Sequence, residues 1–131
     1  MAVYTEIPDD ALRDFVARFD IGDVMSCDGI AEGIENSNYL LRTTGGTFIL
    51  TLYEARVAPA DLPYFLSLME HLSGRGLACP VPVRDRDGET LHRLCGRPAA
   101  IVTFLEGAWP RVPSAAHCHA LGAAAARLHA A

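Results

Sequence analysis

The 131-residue sequence predicts an α+β fold: five antiparallel strands with one helix inserted between the third and fourth, and another helix before them. Three observations predict it. Apolar residues recur at helical spacing over residues 9–19 and 59–73. Between 24 and 53 the pattern changes to alternation broken by glycine-bearing turns. A nearly continuous apolar run, "AAIVTFL", then follows a cluster of turn residues and reads as a strand buried on both faces. Half the residues are apolar and 21% charged, which is the composition of one folded core rather than a disordered chain.

Each element has a local reason. In the first helix Leu12, Phe15, Val16 and Phe19 fall on one face. Pro8 suits its first turn, Asp9 and Asp10 its positive end, and Gly22 is a stop. A strand near 24–30, a turn at 31–35 and a strand near 37–44 follow. "TTGGT" is then a hairpin turn, with Gly45 and Gly46 supplying positive φ, and a third strand covers 48–53. There Phe48, Leu50 and Leu52 share one face and Ile49, Thr51 and Tyr53 the other. In the second helix Leu62, Phe65, Leu66, Met69 and Leu72 form the apolar stripe, with Pro63 in the first turn and Gly74 and Gly76 ending it. "CPVPV" is extended because residues before proline avoid the helical region. The fourth strand is expected to begin at Asp87-Gly88 and the fifth to run over 99–105. Ser114 is a suitable N-cap for a last helix, where Cys118, Leu121, Ala125 and Leu128 recur at helical spacing.

Several function classes are set aside by these readings. A net charge of −5 argues against a nucleic-acid backbone or an anionic membrane as partner. No apolar run approaches the roughly 18 residues of a membrane span. The start "MAVYTEIPDD" has no basic region followed by an apolar core, so a cytoplasmic chain is expected. Cys27, Cys79, Cys95 and Cys118 show no C-x-x-C spacing and read as reduced, buried or half-buried thiols. His117 and His119 are two apart on a helix and diverge, whereas a metal pair needs three or four. They and the isolated His71, His92 and His129 read as surface or packing residues, so no metal ligand is assigned.

The element order is that of the small lobe of a protein-kinase-like phosphotransferase. The stretches "GIAEGIENSNYLL", "FILTLYE", "DLPYFLSLMEHLSGRGLACPVP", "DGETL" and "GRPAAIVTFLEG" resemble the aminoglycoside phosphotransferase and choline kinase superfamily. Within it they are similar to the bacterial homoserine kinases of the kinase-like type, over essentially the whole chain. The resemblance implies a kinase-like N-terminal lobe at 1–105, then a hinge and the first helix of an incomplete C-terminal lobe at 106–131. It implies ATP as cofactor and nucleotide-binding positions at Gly29, Ile30, Glu32, Gly33, Asn36, Ser37 and Asn38, in or near a glycine turn whose backbone N–H groups approach the phosphates. Ile49 would lie against adenine, and Phe104, Leu105 and Glu106 would meet it at the hinge. Thr51 falls where kinases carry a lysine. A hydroxyl brings no charge, which leaves the role of Glu70, the usual lysine partner, open.

The superfamily's catalytic aspartate and its magnesium-holding aspartate and asparagine come after the hinge. Here the last aspartate is Asp87, and no acidic residue follows Glu106. No catalytic residue is therefore assigned, and Mg2+ is expected to be held by residues outside the chain. The implied activity is ATP-dependent phosphorylation of the L-homoserine hydroxyl on the route to threonine, with the chain alone expected to be inactive. Two alternatives stand beside it: a non-catalytic nucleotide-binding or interaction lobe, and a related kinase acting on choline or an aminoglycoside. The apolar stripe of the last helix is expected to meet either a large lobe or another copy of the chain.

Overall fold

The computed structural model describes residues 5–31, 35–54, 57–108 and 110–131. The elements are α1 (Asp9–Val16), β1 (Val24–Gly29), β2 (Ser37–Thr43), β3 (Gly46–Leu52), a 3-10 turn (Pro59–Asp61) leading into α2 (Leu62–Gly74), β4 (His92–Leu94), β5 (Arg97–Thr103) and α3 (Ala115–Ala130). The strands form one sheet in the order β1-β2-β3-β5-β4. Every pairing is antiparallel.

Helix α1 ends sooner than its apolar spacing predicts. The amides of Arg18 and Phe19 reach back only three residues, to Phe15 and Val16, which tightens the last turn. Phe19 nonetheless stays buried, so the apolar face continues past the helix. Pro8 takes the N-cap position, one residue before the first turn.

The path from α1 into β1 lies hard against the β2–β3 hairpin. Gly22 has φ +88, and a Cβ there would fall 2.2 Å from Thr44 Oγ1. The Gly45 amide donates to Ile21 O at 3.1 Å, and a Cβ on Gly45 would come within 2.4 Å of that same oxygen. Glycine is required at 45 by close approach, not by positive φ. Of the two hairpin glycines only Gly46 has positive φ, at +149.

The second hairpin corrects the sequence expectation. Asp87-Gly88 does not start a strand. It belongs to a turn in which the Gly88 amide donates to Asp85 O at 3.0 Å and Asp85 Oδ1 accepts the Asp87 and Glu89 amides, each at 2.9 Å. β4 begins at His92, and Cys95-Gly96, with φ of 53 and 74, turns the chain into β5. Two consecutive positive φ values are the geometry of a two-residue hairpin. Cysteine itself carries no turn signal, but the glycine after it does, and a turn between the fourth and fifth strands is legible in the sequence. "CPVPV" is extended as expected: Val83 N–H donates to Ile101 O at 2.8 Å and Thr103 N–H to Val81 O at 2.9 Å, along the edge of β5.

One face of the sheet is sealed by α1. Leu12, Phe15 and Val16, with Phe19 and Ile21, pack on Tyr39, Leu41, Leu50, Leu52, Ala99 and Ile101. His92 joins them as a packing residue, edge-on to Phe15 with ring centroids 5.6 Å apart and 4.9 Å from Phe19. Its Nε2 meets Asp85 Oδ2 at 2.8 Å. Leu62 and Leu66 of α2 are fully buried outside this cluster. Phe65, expected in the α2 stripe, is instead exposed beside Tyr64, while Met69 and Leu72 are half-buried. Helix α3 starts at Ser114 as predicted, in a capping box: Ser114 Oγ accepts the His117 amide, and the Ser114 amide donates to His117 Nδ1 at 2.9 Å. No α3 side chain is buried, and Leu121 and Leu128 are exposed.

Candidate functional site

The site is built on the face of the sheet that α1 does not cover. Strand alternation turns Leu50 and Leu52 into the core, so Ile49 and Thr51 point to the opposite face, where both are half-buried. Directly opposed residues share a face in an antiparallel pair. Thr51 therefore stands between Asn38 and Ala100, and Ile49 between Leu40 and Val102. Thr51 Oγ1 donates to Asn38 Oδ1 at 2.8 Å. That bond occupies the amide's carbonyl oxygen and leaves its two N–H donors turned away from Thr51.

The glycine turn springs from the same place. Gly29 ends β1 opposite Tyr39, and the amide of Ile30 donates to Asn38 O at 2.9 Å. Glu32 and Gly33 lie outside the described residues. The structure thus brings Ile30, Asn38, Ile49 and Thr51 to one patch, at the mouth of the turn. It sets Ser37 apart. Ser37 is fully buried on the α1 side, and its hydroxyl donates to Glu54 Oε1 at 2.7 Å. Asn36 also turns to this residue, accepting the Glu54 amide at 3.3 Å. Phe104, Leu105 and Glu106 leave the end of β5 exposed, and Phe104 comes two residues after Val102, the cross-strand neighbour of Ile49.

Among the described residues, Asp28 stands opposite Leu40 and so shares the open face, and further charge surrounds the patch. Glu70 gives both carboxylate oxygens to Arg84, at 2.8 and 2.7 Å, so its cation partner comes from the loop before β4 and not from β3. Burial works to raise the carboxyl of Glu54, but hydrogen bonds from Thr5 and Ser37 and the nearby Arg97 guanidinium outweigh it and hold it below the usual range. The bond from His92, with those from the Glu89 and Asp87 amides, does the same for Asp85. Burial, helped by Asp28 and Asp9, pushes the Cys27 thiol up to about 11, so it is protonated and unreactive at neutral pH. Cys27 and Cys79 are half-buried as expected, but Cys95 and Cys118 are exposed. Among the described residues no three His, Cys, Asp or Glu side chains converge to hold a metal ion, and no helix is long and apolar enough to cross a membrane.

Comparison with known proteins bears on this geometry. Residues 26–131 match the phosphotransferase enzyme family, APH. The chain belongs to that family. Among curated members, a homoserine kinase of Acidiphilium cryptum is 65% identical over 98% of the chain. One from Bradyrhizobium diazoefficiens is 61% identical over the same share, and one from a Methylobacterium strain is 63% identical over the whole chain. The chain spans about 40% of the length of these relatives. Among solved structures, a spectinomycin phosphotransferase in complex with ADP and spectinomycin superposes with a TM-score of 0.61 over 77% of the chain and 30% of its own, at 14% identity. That likeness shows the shared family fold, a kinase-like five-stranded lobe.

Sequence reasoning missed two contributors to the patch and one beneath it. Leu40 and Val102 flank Ile49, and strand alternation in β2 and β5 could have supplied both. Glu54 could not have been found this way. It is one charged residue after an apolar strand, and only the tertiary structure gathers its partners.

Proposed function

We propose that the chain is the nucleotide-facing part of an ATP-dependent homoserine kinase: residues 1–105 form the small lobe, and 106–131 lead into a large helical lobe carrying the catalytic loop. The observation that carries this reading is the patch itself, a half-open sheet face with an apolar seat at Ile49, Leu40 and Val102 and a polar pair at Asn38 and Thr51. It fits a nucleotide in character: an apolar seat suits a base, and amide donors beside a glycine turn suit phosphate oxygens. The γ-phosphoryl group supplied by bound ATP is what the reaction transfers. The residues of the chain bind and orient. Thr51 does so without charge, by holding the Asn38 carbonyl oxygen so that the amide N–H donors are free for an anion. The backbone after Thr103 reaches the base edge through Phe104, Leu105 and Glu106. Gly29, Ile30, Glu32 and Gly33 close over the phosphates. Asn36 and Ser37 support that turn from behind.

Homoserine is favoured as acceptor because the relatives bearing that name are 61–65% identical, whereas the aminoglycoside enzyme shares only the fold. Four free thiols and an ATP-dependent step on a small metabolite suit the cytoplasm. The exposed Leu121 and Leu128 of α3 would be covered by the large lobe. Two measurements test the proposal. Titrating ATP into the labelled chain should move the amide resonances of Ile30, Asn38 and Thr51 while leaving those of α1 in place. The chain alone should release no ADP above background with homoserine, and a full-length form should do so with homoserine in preference to choline or spectinomycin. Unmoved resonances at saturating ATP, or preference for another alcohol, would sink it.

A further inference from the structure

Among the described residues, two hydrogen bonds at the returning end of the glycine turn go to one residue, Glu54. The turn leaves β1 at Gly29 and returns into β2 at Ser37. The Ile30 amide closes it on Asn38 O at 2.9 Å. On the returning side, Asn36 Oδ1 accepts the Glu54 amide at 3.3 Å, and the Ser37 hydroxyl donates to Glu54 Oε1 at 2.7 Å. The same carboxylate carries two further partners. Thr5 Oγ1 donates to Oε1 at 2.7 Å, and Arg97 Nε stands 3.2 Å from Oε2. Thr5 is in turn held on β2, its amide donating to Ser37 Oγ at 3.2 Å and its carbonyl accepting from the Tyr39 hydroxyl. Glu54 thus joins the segment before α1, the foot of the glycine turn, the end of β3 and the start of β5. Its side chain is only 10% exposed. A buried carboxylate persists only where donors satisfy it, and hydrogen bonds to an ionised acceptor are the stronger kind.

We infer that Glu54 is a positioning residue: through Ser37 and Asn36 it fixes the returning end of the turn that starts at Gly29, where the chain enters β2. It touches no nucleotide itself. It lies behind the sheet with Ser37, on the side away from Thr51, and holds that end of the turn from there. The inference deepens the proposed nucleotide site and rests on it for its functional consequence, but not for its structural one.

The two parts are separable by experiment. In hydrogen–deuterium exchange on the unliganded chain, Glu54→Ala should raise exchange at the Ile30 amide by about tenfold or more, the loss expected when charge-assisted bonds are removed. Exchange at Leu50 and Ile101, in the core beneath α1, should change far less. Ser37→Ala, a milder change, should raise Ile30 exchange in the same direction. Arg97→Ala removes a partner of the same carboxylate that does not touch the turn, and it should leave Ile30 unchanged. Equal acceleration at Ile30 and in the core, or no difference between Glu54→Ala and Arg97→Ala, would overturn the inference. ATP affinity of the same variants is the second readout: Glu54→Ala should weaken it several-fold and Arg97→Ala should not. If wild-type chain binds no ATP, the nucleotide reading fails while the exchange result still decides the role of Glu54.

Discussion

The two faces of the sheet differ in what each strand residue is asked to do. Along β3, neighbours alternate between a side where Leu50 and Leu52 have no exposure and a side where Ile49 and Thr51 are half-open. The α1 face is sealed by aromatic and branched side chains, with His92 and Asp85 paired at its margin. The open face holds a hydrogen-bonded polar pair and an apolar seat. A face packed to crystal-like density holds the sheet in shape, and that leaves the other face free to present donors. Substitutions one residue apart should therefore separate stability from binding.

The largest effect belongs to the sealed side. Leu50→Ala should destabilise the fold by about 3 kcal/mol, a transfer loss plus a cavity, visible as a lower urea midpoint. A midpoint within error of wild type would erase the contrast between faces. Next comes Gly45→Ala, at about 2 kcal/mol, because the new methyl group would press on Ile21 O and force the α1–β1 connection off the hairpin. An equal loss at Gly88→Ala, where φ is +84 but nothing lies within 4 Å, would mean that backbone conformation and not close approach decides. Thr51→Val, on the open side, should cost about 1 kcal/mol or less in stability. Its effect should appear in ATP affinity, since Asn38 loses the donor that orients its amide. Should Thr51→Val unfold the chain as readily as Leu50→Ala, the open face would be structural after all.

Acid should act on the margin of the sealed side. The carboxyls of Glu54 and Asp85 are held below their ordinary values of 4.5 and 3.8. Both are ionised in the folded and unfolded chain at neutral pH, so their contribution is fully present there. As pH falls below those ordinary values the unfolded chain takes up protons first, and the contribution is lost by the time the folded carboxyls protonate. The melting temperature should drop through this range, and Asp85→Asn should flatten the slope. The smallest effect is expected at Glu70→Gln. Its pairing with Arg84 is solvent-screened and should contribute about 0.5 kcal/mol or less. A large loss of ATP affinity in that variant would restore Glu70 to the site.

Much of this was legible in the sequence wherever the signal is local. Helical spacing found α1, α2 and α3, and Ser114 marked its cap. Period two put Ile49 and Thr51 together opposite Leu50 and Leu52, which the register confirms. What failed was also local in appearance. The fourth strand was expected from Asp87-Gly88, but that pair lies in a turn held by Asp85, and the strand that pairs with β5 is only the three residues His92–Leu94. Phe65 looked like core because spacing reports a face but not what lies against it. Gly45 was right for the wrong reason: its neighbour across space, Ile21, is 24 positions away in the chain (45 − 21).

By itself, then, the sequence determined the order of helices and strands and the two faces of β3. Those follow from side-chain periodicity and turn chemistry, which act over a few residues. Only the tertiary structure decided that Thr51 serves Asn38, that Ser37 turns away from the open face, and that Glu54 gathers Thr5, Ser37 and Arg97 around one carboxylate. These are contacts across strands and across the length of the chain, and their partners are chosen by register and close packing, which no short window of sequence contains.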